Sequence, residues 1–396
     1  MSKHSTKRKR GFSLLEMLIA MALGLIVLGA AAQIYVQGIS STWTVSQRAQ
    51  LQQDFRAASN MLTKDLSLAG AGLNPGTAIA LPSGSTPEYG CDQSACHLNG
   101  VAGTYPVSSG TPYLYGLIPG YNLGPTLLAA QGATDVVTVM YTDSSFYLNC
   151  YVPSVTTTGK VTFSQPTPAA PLTWTTDGCL PNGVTTPQAV NDAAAGLTTG
   201  DLVMMTLGGI TVVVEVTGAV TTGTDANGNT TYTVPFANGD ALKMNQTASG
   251  YVLNGIRNSV TGSYSSAPCG GTGPCRLLVI TYYIDNTTTP PRLMRQVSGH
   301  SPIPVAENVA YLKFSYDLFN SATNVPAVGC SNPGAGTDGC NGASSGLLPN
   351  QITKINILNM AIDSTLWSAV GNGYQSLTLH TSVSARNLTY TNNYPN

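Results

Sequence analysis

The chain has 396 residues, enough for one large domain or two ordinary ones. Its 42 glycines and 24 prolines, set among many Thr, Ser and Asn residues, favour a β-rich protein with many turns. The formal net charge is −1, and from residue 73 onward there are 9 basic and 15 acidic residues. This balance excludes a broad nucleic-acid-binding face in that part of the chain.

The N-terminus combines a basic cluster with an apolar run. Residues 7–10 are all Lys or Arg, Gly11 follows, and the apolar run that comes next contains the carboxylate of Glu16. As a helix that rises about 1.5 Å per residue, this run of about 25 residues is longer than the roughly 30 Å hydrocarbon core of a membrane. A cleaved signal peptide ending before Gln33 fits this pattern, and so does an uncleaved anchor whose basic cluster stays in the cytoplasm.

The hexapeptide GFSLLE at residues 11–16 favours a third interpretation. It resembles the signal of type IV prepilins, a short basic leader ending in Gly, followed by Phe and by Glu as the fifth residue of the mature chain. The resemblance implies a leader of residues 1–11, cleavage between Gly11 and Phe12 by a prepilin peptidase, and N-methylation of Phe12. It also implies that Glu16 pairs with a terminal amine during assembly, which makes a charge in an apolar helix tolerable.

The helical pattern continues beyond a membrane-spanning length. No proline occurs between Phe12 and Pro75, and apolar residues recur every three or four positions along one face. These residues are Leu51, Phe55, Ala58, Leu62, Leu66 and Ala69. The pattern predicts one spine helix over 12–72, apolar all round in its first half and amphipathic in its second. The alternative is a membrane helix followed by a separate helix, with a bend at Gly38, Ser40 and Ser41. The remainder, 73–396, is predicted to be a β-rich globular domain.

Six segments of that domain are typical of strands, since β-branched, aromatic and other apolar residues dominate them. They are 135–141, 146–152, 201–207, 210–216, 230–236 and 276–285. Only two glycines separate the third and fourth, which predicts a hairpin. Residues 76–130, 153–200 and 320–350 are rich in Gly, Pro, Ser and Thr, and we expect long surface loops there.

Three further segments, 305–319, 352–362 and 377–387, predict closing strands. In order and spacing they resemble the end of PilW-type minor pilins, with a pattern E-x-V-x-x-L-x-F-x-Y and a last strand ending near R-N. The residues that carry the resemblance are Glu307, Asn308, Val309, Leu312, Phe314, Tyr316, Arg386 and Asn387. Together with the N-terminal resemblance, this implies an α+β fold, a spine helix packed on an antiparallel sheet with long disulfide-stapled loops.

The eight cysteines fall into four short-range couples along the chain. They are Cys91 and Cys96, Cys150 and Cys179, Cys269 and Cys275, and Cys330 and Cys340. An even number in an exported chain predicts disulfides formed in an oxidising compartment. Spacing favours sequential pairing without proving it.

Two cofactor sites are weaker interpretations of local motifs. Cys91, Cys96 and His97 form a rare spacing variant of a c-type haem attachment motif, but a disulfide beside an incidental histidine explains them better. Asp225, Asn227 and Asn229 alternate as in a calcium loop, yet a hairpin turn accounts for the same residues. We therefore predict no cofactor and no metal. The four histidines form no catalytic pattern, so we expect no enzyme.

The resemblance implies a minor pilin of a type IV pilus, inserted in the inner membrane by one helix with its β domain in the periplasm. It would then join the extracellular filament through packing of its N-terminal helix against major and minor pilins, with a place in the priming complex at the tip. Nucleic acid is not an expected partner. The alternatives are a tip adhesin that binds a surface ligand through its loops, and a large minor pseudopilin of type II secretion.

Overall fold

The computed structural model describes residues 13–73, 78–81, 86–108, 110–155, 159–164, 187–207, 210–247, 250–253, 273–320, 325–333, 340, 347–363 and 376–389. Internal contacts divide the chain into two units. The described part of the first unit is residues 13–53. The second unit contains the described residues from Asp54 to Asp363 and from Ser376 onward, including all the strands given below.

One helix dominates the N-terminal region. α1 runs from Leu14 to Ser67 without a break at Gly38, so the position suggested for a bend stays helical. The helix is long and apolar enough to cross a membrane. In the second unit, Ala58, Leu62 and Leu66 are fully buried, as the predicted apolar face requires.

Twenty-two strands are assigned among the described residues. Before residue 150 they are β1 (Ile79–Ala80), β2 (Glu88–Tyr89), β3 (Gly103–Thr104), β4 (Val107–Ser108), β5 (Thr111–Leu114), β6 (Leu117–Gly120) and β7 (Val136–Thr142). The next are β8 (Val152–Val155), β9 (Lys160–Ser164), β10 (Leu202–Leu207), β11 (Ile210–Glu215), β12 (Thr221–Thr224), β13 (Thr230–Pro235), β14 (Gln246–Thr247) and β15 (Gly250–Tyr251). The last are β16 (Cys275–Asp285), β17 (Arg292–Val297), β18 (Ile303–Glu307), β19 (Val309–Asn320), β20 (Val325–Cys330), β21 (Ile352–Asp363) and β22 (Ser376–Ser384).

The described residues also include three short helical segments. Two are 3₁₀ helices, Leu148–Cys150 and Pro349–Gln351. The third, α2, is a single turn at Arg386–Thr389, directly after the last strand.

The strands form antiparallel sheets, and the largest among the described residues has seven strands. In that sheet β7 pairs with one edge of β16, while β10 and β17 take successive parts of the other edge. β6 extends it beyond β7, β11 beyond β10, and β18 beyond β17. Two four-stranded sheets have the orders β12-β13-β9-β8 and β20-β19-β21-β22, and shorter ribbons involve β1 to β5, β14 and β15. The α+β class predicted from the sequence, a long helix and an antiparallel β-rich domain, is confirmed.

Many buried residues of the second unit lie in two clusters among the described residues. One joins β7, β10 and β16 to the short strands, and Tyr89, Met140 and Tyr283 lie in it. The other lies under the hairpin of β10 and β11, whose register runs from Leu202 opposite Glu215 to Leu207 opposite Ile210. That hairpin was predicted from its two-glycine connection.

One predicted strand is wrong and two others have different limits. Residues 146–152 contain a 3₁₀ helix at Leu148–Cys150, because the N–H groups of Cys150 and Tyr151 bond to carbonyls three residues back and not to a neighbouring strand. Segment 305–319 is divided at Asn308, whose positive φ of 61° turns the chain from β18 into β19 and a different sheet. Segment 377–387 is a strand only as far as Ser384.

The predicted long loops contain more regular structure than expected. β1 to β6 lie within 76–130, the end of β8 and all of β9 within 153–200, and β20 within 320–350. These strands are short and rich in Gly, Pro, Ser and Thr, so their composition resembles that of loops. Residues 165–186 lie outside the described residues.

Candidate functional site: the N-terminal motif and the helix anchor

The first described residues form a capped helix start. Gly11 and Phe12 lie outside the described residues, and α1 begins at Leu14. The backbone N–H of Ser13 donates to Glu16 Oε2 at 3.0 Å. This is the bond that the third helical residue makes in a capping box, where it satisfies an N–H left free at the helix start. Glu16 therefore begins with a partner inside its own chain.

The position of Glu16 is also favourable electrostatically. A carboxylate in the first turn interacts with the partial positive charge of the helix N-terminus. The side chains around it, Leu14, Leu15, Met17 and Leu18, are each more than 60% exposed. A continuous exposed apolar surface on one helix is suited to lipid or to the helices of other subunits. Glu16 is thus a charge placed at the edge of an apolar contact surface.

The sequence also contains a signal for this helix cap, which is separate from the processing signal in the same residues. Ser13 and Glu16 have the Ser-x-x-Glu spacing of a capping box immediately before an apolar run. The same six residues therefore encode both the resemblance to a prepilin signal and the start of the helix.

Asp65 anchors the end of α1 within the second unit. Its carboxylate accepts hydrogen bonds from Tyr282 Oη at 2.7 Å, from Arg295 Nε at 2.8 Å and from Tyr141 Oη at 3.1 Å. These donors come from β16, β17 and β7, so one side chain of the helix connects three neighbouring strands. Burial and the Asp65 charge raise the pKa of Tyr282 well above its usual range. Tyr282 therefore stays protonated and acts as a donor to Asp65.

Sequence reasoning missed this anchor, although one signal was present. Asp65 adjoins Leu66 and lies three residues after Leu62, inside the apolar face of the predicted helix. A carboxylate on a buried face needs partners.

The cysteines form pairs near the strand ends. The structure has two couples at disulfide distance, Cys91 with Cys96 and Cys330 with Cys340. Cys150 is disulfide-bonded, and so is Cys275, each in a bond whose partner is not described. Cys179 and Cys269 lie outside the described residues.

The cofactor motifs have other uses in the structure. The Cys91 and Cys96 sulfurs are bonded to each other and His97 Nε2 lies 3.1 Å from Asp92, so no thiol is available there to attach haem. One group of metal-ligand type occurs among the described residues, Glu88 with the same two cysteines, and the disulfide removes two of its three donors.

The calcium-like loop is the turn between β12 and β13. Asp225 accepts hydrogen bonds from the backbone N–H groups of Asn227 at 2.9 Å and Asn229 at 2.8 Å, and from the Asn229 side chain at 3.0 Å. The side-chain bond from Asn229 comes first among the contacts that lower the pKa of Asp225. Both carboxylate oxygens are thus engaged in holding the turn.

A buried carboxyl pair lies at the end of β11. Glu215 has no exposed surface, and its Oε2 accepts the backbone N–H of Leu242 at 2.8 Å. Its neighbour Asp240 accepts backbone N–H groups from Met244 at 2.5 Å and Asn245 at 3.2 Å. Burial raises the pKa of Glu215 to about 8. Glu215 therefore carries a proton at neutral pH, while Asp240 accepts from the backbone.

The Glu215 pair predicts a specific pH dependence of stability. Because the folded-state pKa of Glu215, about 8, lies above the ordinary value of 4.5, the unfolded chain loses this proton first as the pH rises. The free energy of unfolding should therefore fall between about pH 4.5 and about pH 8, by up to about 1.4 kcal/mol for each unit of pKa difference. Glu215→Gln has no carboxyl proton to lose and should remove this part of the dependence.

Urea unfolding of the full chain in detergent, followed by circular dichroism at several pH values, measures the effect. Glu307→Gln is the matched control, since that side chain is 56% exposed and should leave the pH profile unchanged. A Glu215→Gln profile identical to the parent would contradict the assignment of the proton.

Comparison with protein families matches residues 6–32 to the prokaryotic N-terminal methylation motif. No curated protein and no solved structure matches the chain. The motif covers the basic cluster, Gly11, Phe12, Glu16 and the first part of α1. It supports a type IV pilin-like or pseudopilin-type protein that is processed by a prepilin peptidase and assembles with other pilins.

Proposed function

We propose that the protein is a minor pilin of a type IV pilus, of the PilW type, and that it acts in the priming complex at the filament tip. The observation that carries this proposal is the methylation motif leading directly into one 54-residue helix. The first part of that helix is apolar and exposed, and its last part is bound to an antiparallel sheet. Such a chain suits assembly through its helix and needs no reaction of its own.

The proposed assembly step begins with removal of residues 1–11. Cleavage creates the amine of Phe12 one residue before Ser13, whose N–H holds Glu16 in the single chain. A terminal ammonium of this or a neighbouring subunit can then take the Glu16 carboxylate from a neutral N–H, because a charge-assisted bond is about twice as strong. The exchange would fix the register between neighbouring helices.

The proposed location follows from the same residues. Before assembly, α1 would anchor the chain in the inner membrane with the basic cluster in the cytoplasm, by the positive-inside rule. The β-rich unit would lie in the periplasm, where its cysteines could form disulfides. After assembly it would be part of the extracellular filament.

The mature N-terminus tests the processing step. Mass spectrometry of the protein purified from membranes is expected to give a chain that begins at N-methylated Phe12. Gly11→Ala should retain the leader, because the residue before the cut is altered. A mature chain beginning at Gln33 would contradict the proposal and support a secretory signal peptide.

The methylation motif is common to pilins and pseudopilins, so a second experiment separates them. Deletion of the gene is expected to reduce the number of surface pili and to leave protein secretion intact. Loss of secreted proteins with a normal number of pili would assign the protein to type II secretion instead.

A further inference from the structure

Lys313, Asn122 and Asp135 meet at one point of the second unit. Lys313 Nζ lies 2.5 Å from the side-chain oxygen of Asn122 and 2.7 Å from Asp135 Oδ1. The same Asp135 oxygen accepts the backbone N–H of Asn122 at 2.9 Å. One carboxylate oxygen therefore binds the Lys313 amine and the Asn122 backbone, and the Asn122 side-chain oxygen accepts from the same amine, although the two residues are 191 positions apart in the chain.

The arrangement is fixed from both sides. Asp135 Oδ2 accepts the backbone N–H of Phe314 at 3.0 Å, so Asp135 is also hydrogen-bonded to β19 at the residue after Lys313. The Tyr121 ring lies 4.8 Å from Lys313 Nζ and covers the amine. The side chains of Asp135 and Lys313 are only 3% and 14% exposed, whereas Asn122 lies at the surface. Reacting groups held in this way need little further ordering.

We propose that Lys313 and Asn122 join in an intramolecular isopeptide bond, with Asp135 as the proton-transfer group. Burial raises the pKa of Asp135, which favours transfer of a proton from the Lys313 ammonium to this carboxylate. The neutral amine that results is a nucleophile. The Lys313 amine already contacts the side-chain oxygen of Asn122, and this oxygen is bonded directly to Cγ. A small movement of the lysine side chain therefore brings the amine to Cγ.

The bond changes balance without any further reactant. A C–N bond forms between Lys313 Nζ and Asn122 Cγ, and the C–N bond to the Asn122 amide nitrogen breaks. One proton passes from the attacking nitrogen to the leaving nitrogen, which also takes the proton held by Asp135 and departs as ammonium. Asp135 returns to its carboxylate form. Because Asn122 is at the surface, the ammonium leaves directly into solvent.

A second group of Lys, Asp and Asn in the same unit differs from the Lys313 site in geometry and exposure. Lys354 lies 3.7 Å from Asp317, and the Asn356 side-chain nitrogen donates to Asp317 at 3.1 Å. There the amide presents its nitrogen to the carboxylate, and the lysine side chain is 47% exposed. Lys354 is therefore a matched control within the chain.

The test is mass spectrometry of the full chain purified in detergent, followed by digestion with chymotrypsin. After reduction of the disulfides, the intact mass should be one ammonia lower than that of the processed, N-methylated sequence, and one peptide should join the Asn122 and Lys313 segments. Lys313→Arg keeps the positive charge but is not a nucleophile, and Asp135→Asn keeps both reacting groups. Both variants should lose the mass change and the joined peptide, while Lys354→Arg should retain them.

Two results would overturn the proposal. An intact mass equal to that of the processed sequence would show that the three groups form only an ion pair and hydrogen bonds. Loss of ammonia without a joined peptide would indicate cyclisation of Asn122 on its own backbone. If Asp135→Asn fails to fold, Lys313→Arg alone decides, because it preserves the charge beside Asp135 and Tyr121.

Discussion

Replacing Glu16 with alanine is expected to leave the protein in the inner membrane and to lower its recovery in sheared filaments at least tenfold. The apolar run that drives insertion is unchanged, so the membrane fraction should keep its normal amount of protein. In the proposed filament, the amine of Phe12 would lose its carboxylate among apolar helices. Removing one member of a buried ion pair costs about 3–5 kcal/mol. Immunoblots of filament and membrane fractions measure both quantities.

The hydrogen bond between Ser13 and Glu16 allows a sharper version of this experiment. Glu16→Gln keeps an oxygen that can accept the Ser13 N–H, since Gln also serves in a capping box, but it removes the charge. If the ion pair matters, Gln and Ala variants should be equally defective. Normal incorporation of the Gln variant would show that Glu16 acts only as a helix cap. Glu307→Gln, a change at an exposed carboxylate, should assemble normally.

The parts of the fold that follow local patterns could be predicted from the sequence. α1 was predictable because its apolar residues recur with helical spacing and no proline interrupts them. β10 and β11 were predictable because two glycines join two strongly apolar segments. In both cases the information lies within a few neighbouring residues.

The contacts that organise the second unit depend on residues far apart in the chain. Asp65 and Arg295 are separated by 230 positions, and Asp135 and Lys313 by 178. No spacing in one sequence indicates such pairs. The division of segment 305–319 also depends on a single backbone angle, at Asn308, which sends β18 and β19 to different sheets. The periodicity of segment 305–319 fits two strands as well as it fits one.

Asp65→Asn is expected to lower the free energy of unfolding by about 3–5 kcal/mol, the largest stability effect we predict for one polar substitution. Arg295, whose side chain is 18% exposed, would keep its charge without a carboxylate. The hydroxyls of Tyr282 and Tyr141 would also lose a charged acceptor, and bonds to charged groups are stronger than neutral ones. Urea unfolding of the full chain in detergent measures the change.

Two variants test whether the buried charge is the reason. Asp54→Asn changes a half-buried aspartate on the same helix and should alter stability by no more than about 0.5 kcal/mol. The double variant Asp65→Leu with Arg295→Met replaces both charges with apolar groups of similar size and should recover most of the loss, because a buried pair is often no better than an apolar one. If Asp65→Asn unfolds like the parent, Asp65 does not anchor the helix. If the double variant is as unstable as the single one, hydrogen bonds to the two tyrosines, and not the uncompensated charge of Arg295, hold α1 to the sheet.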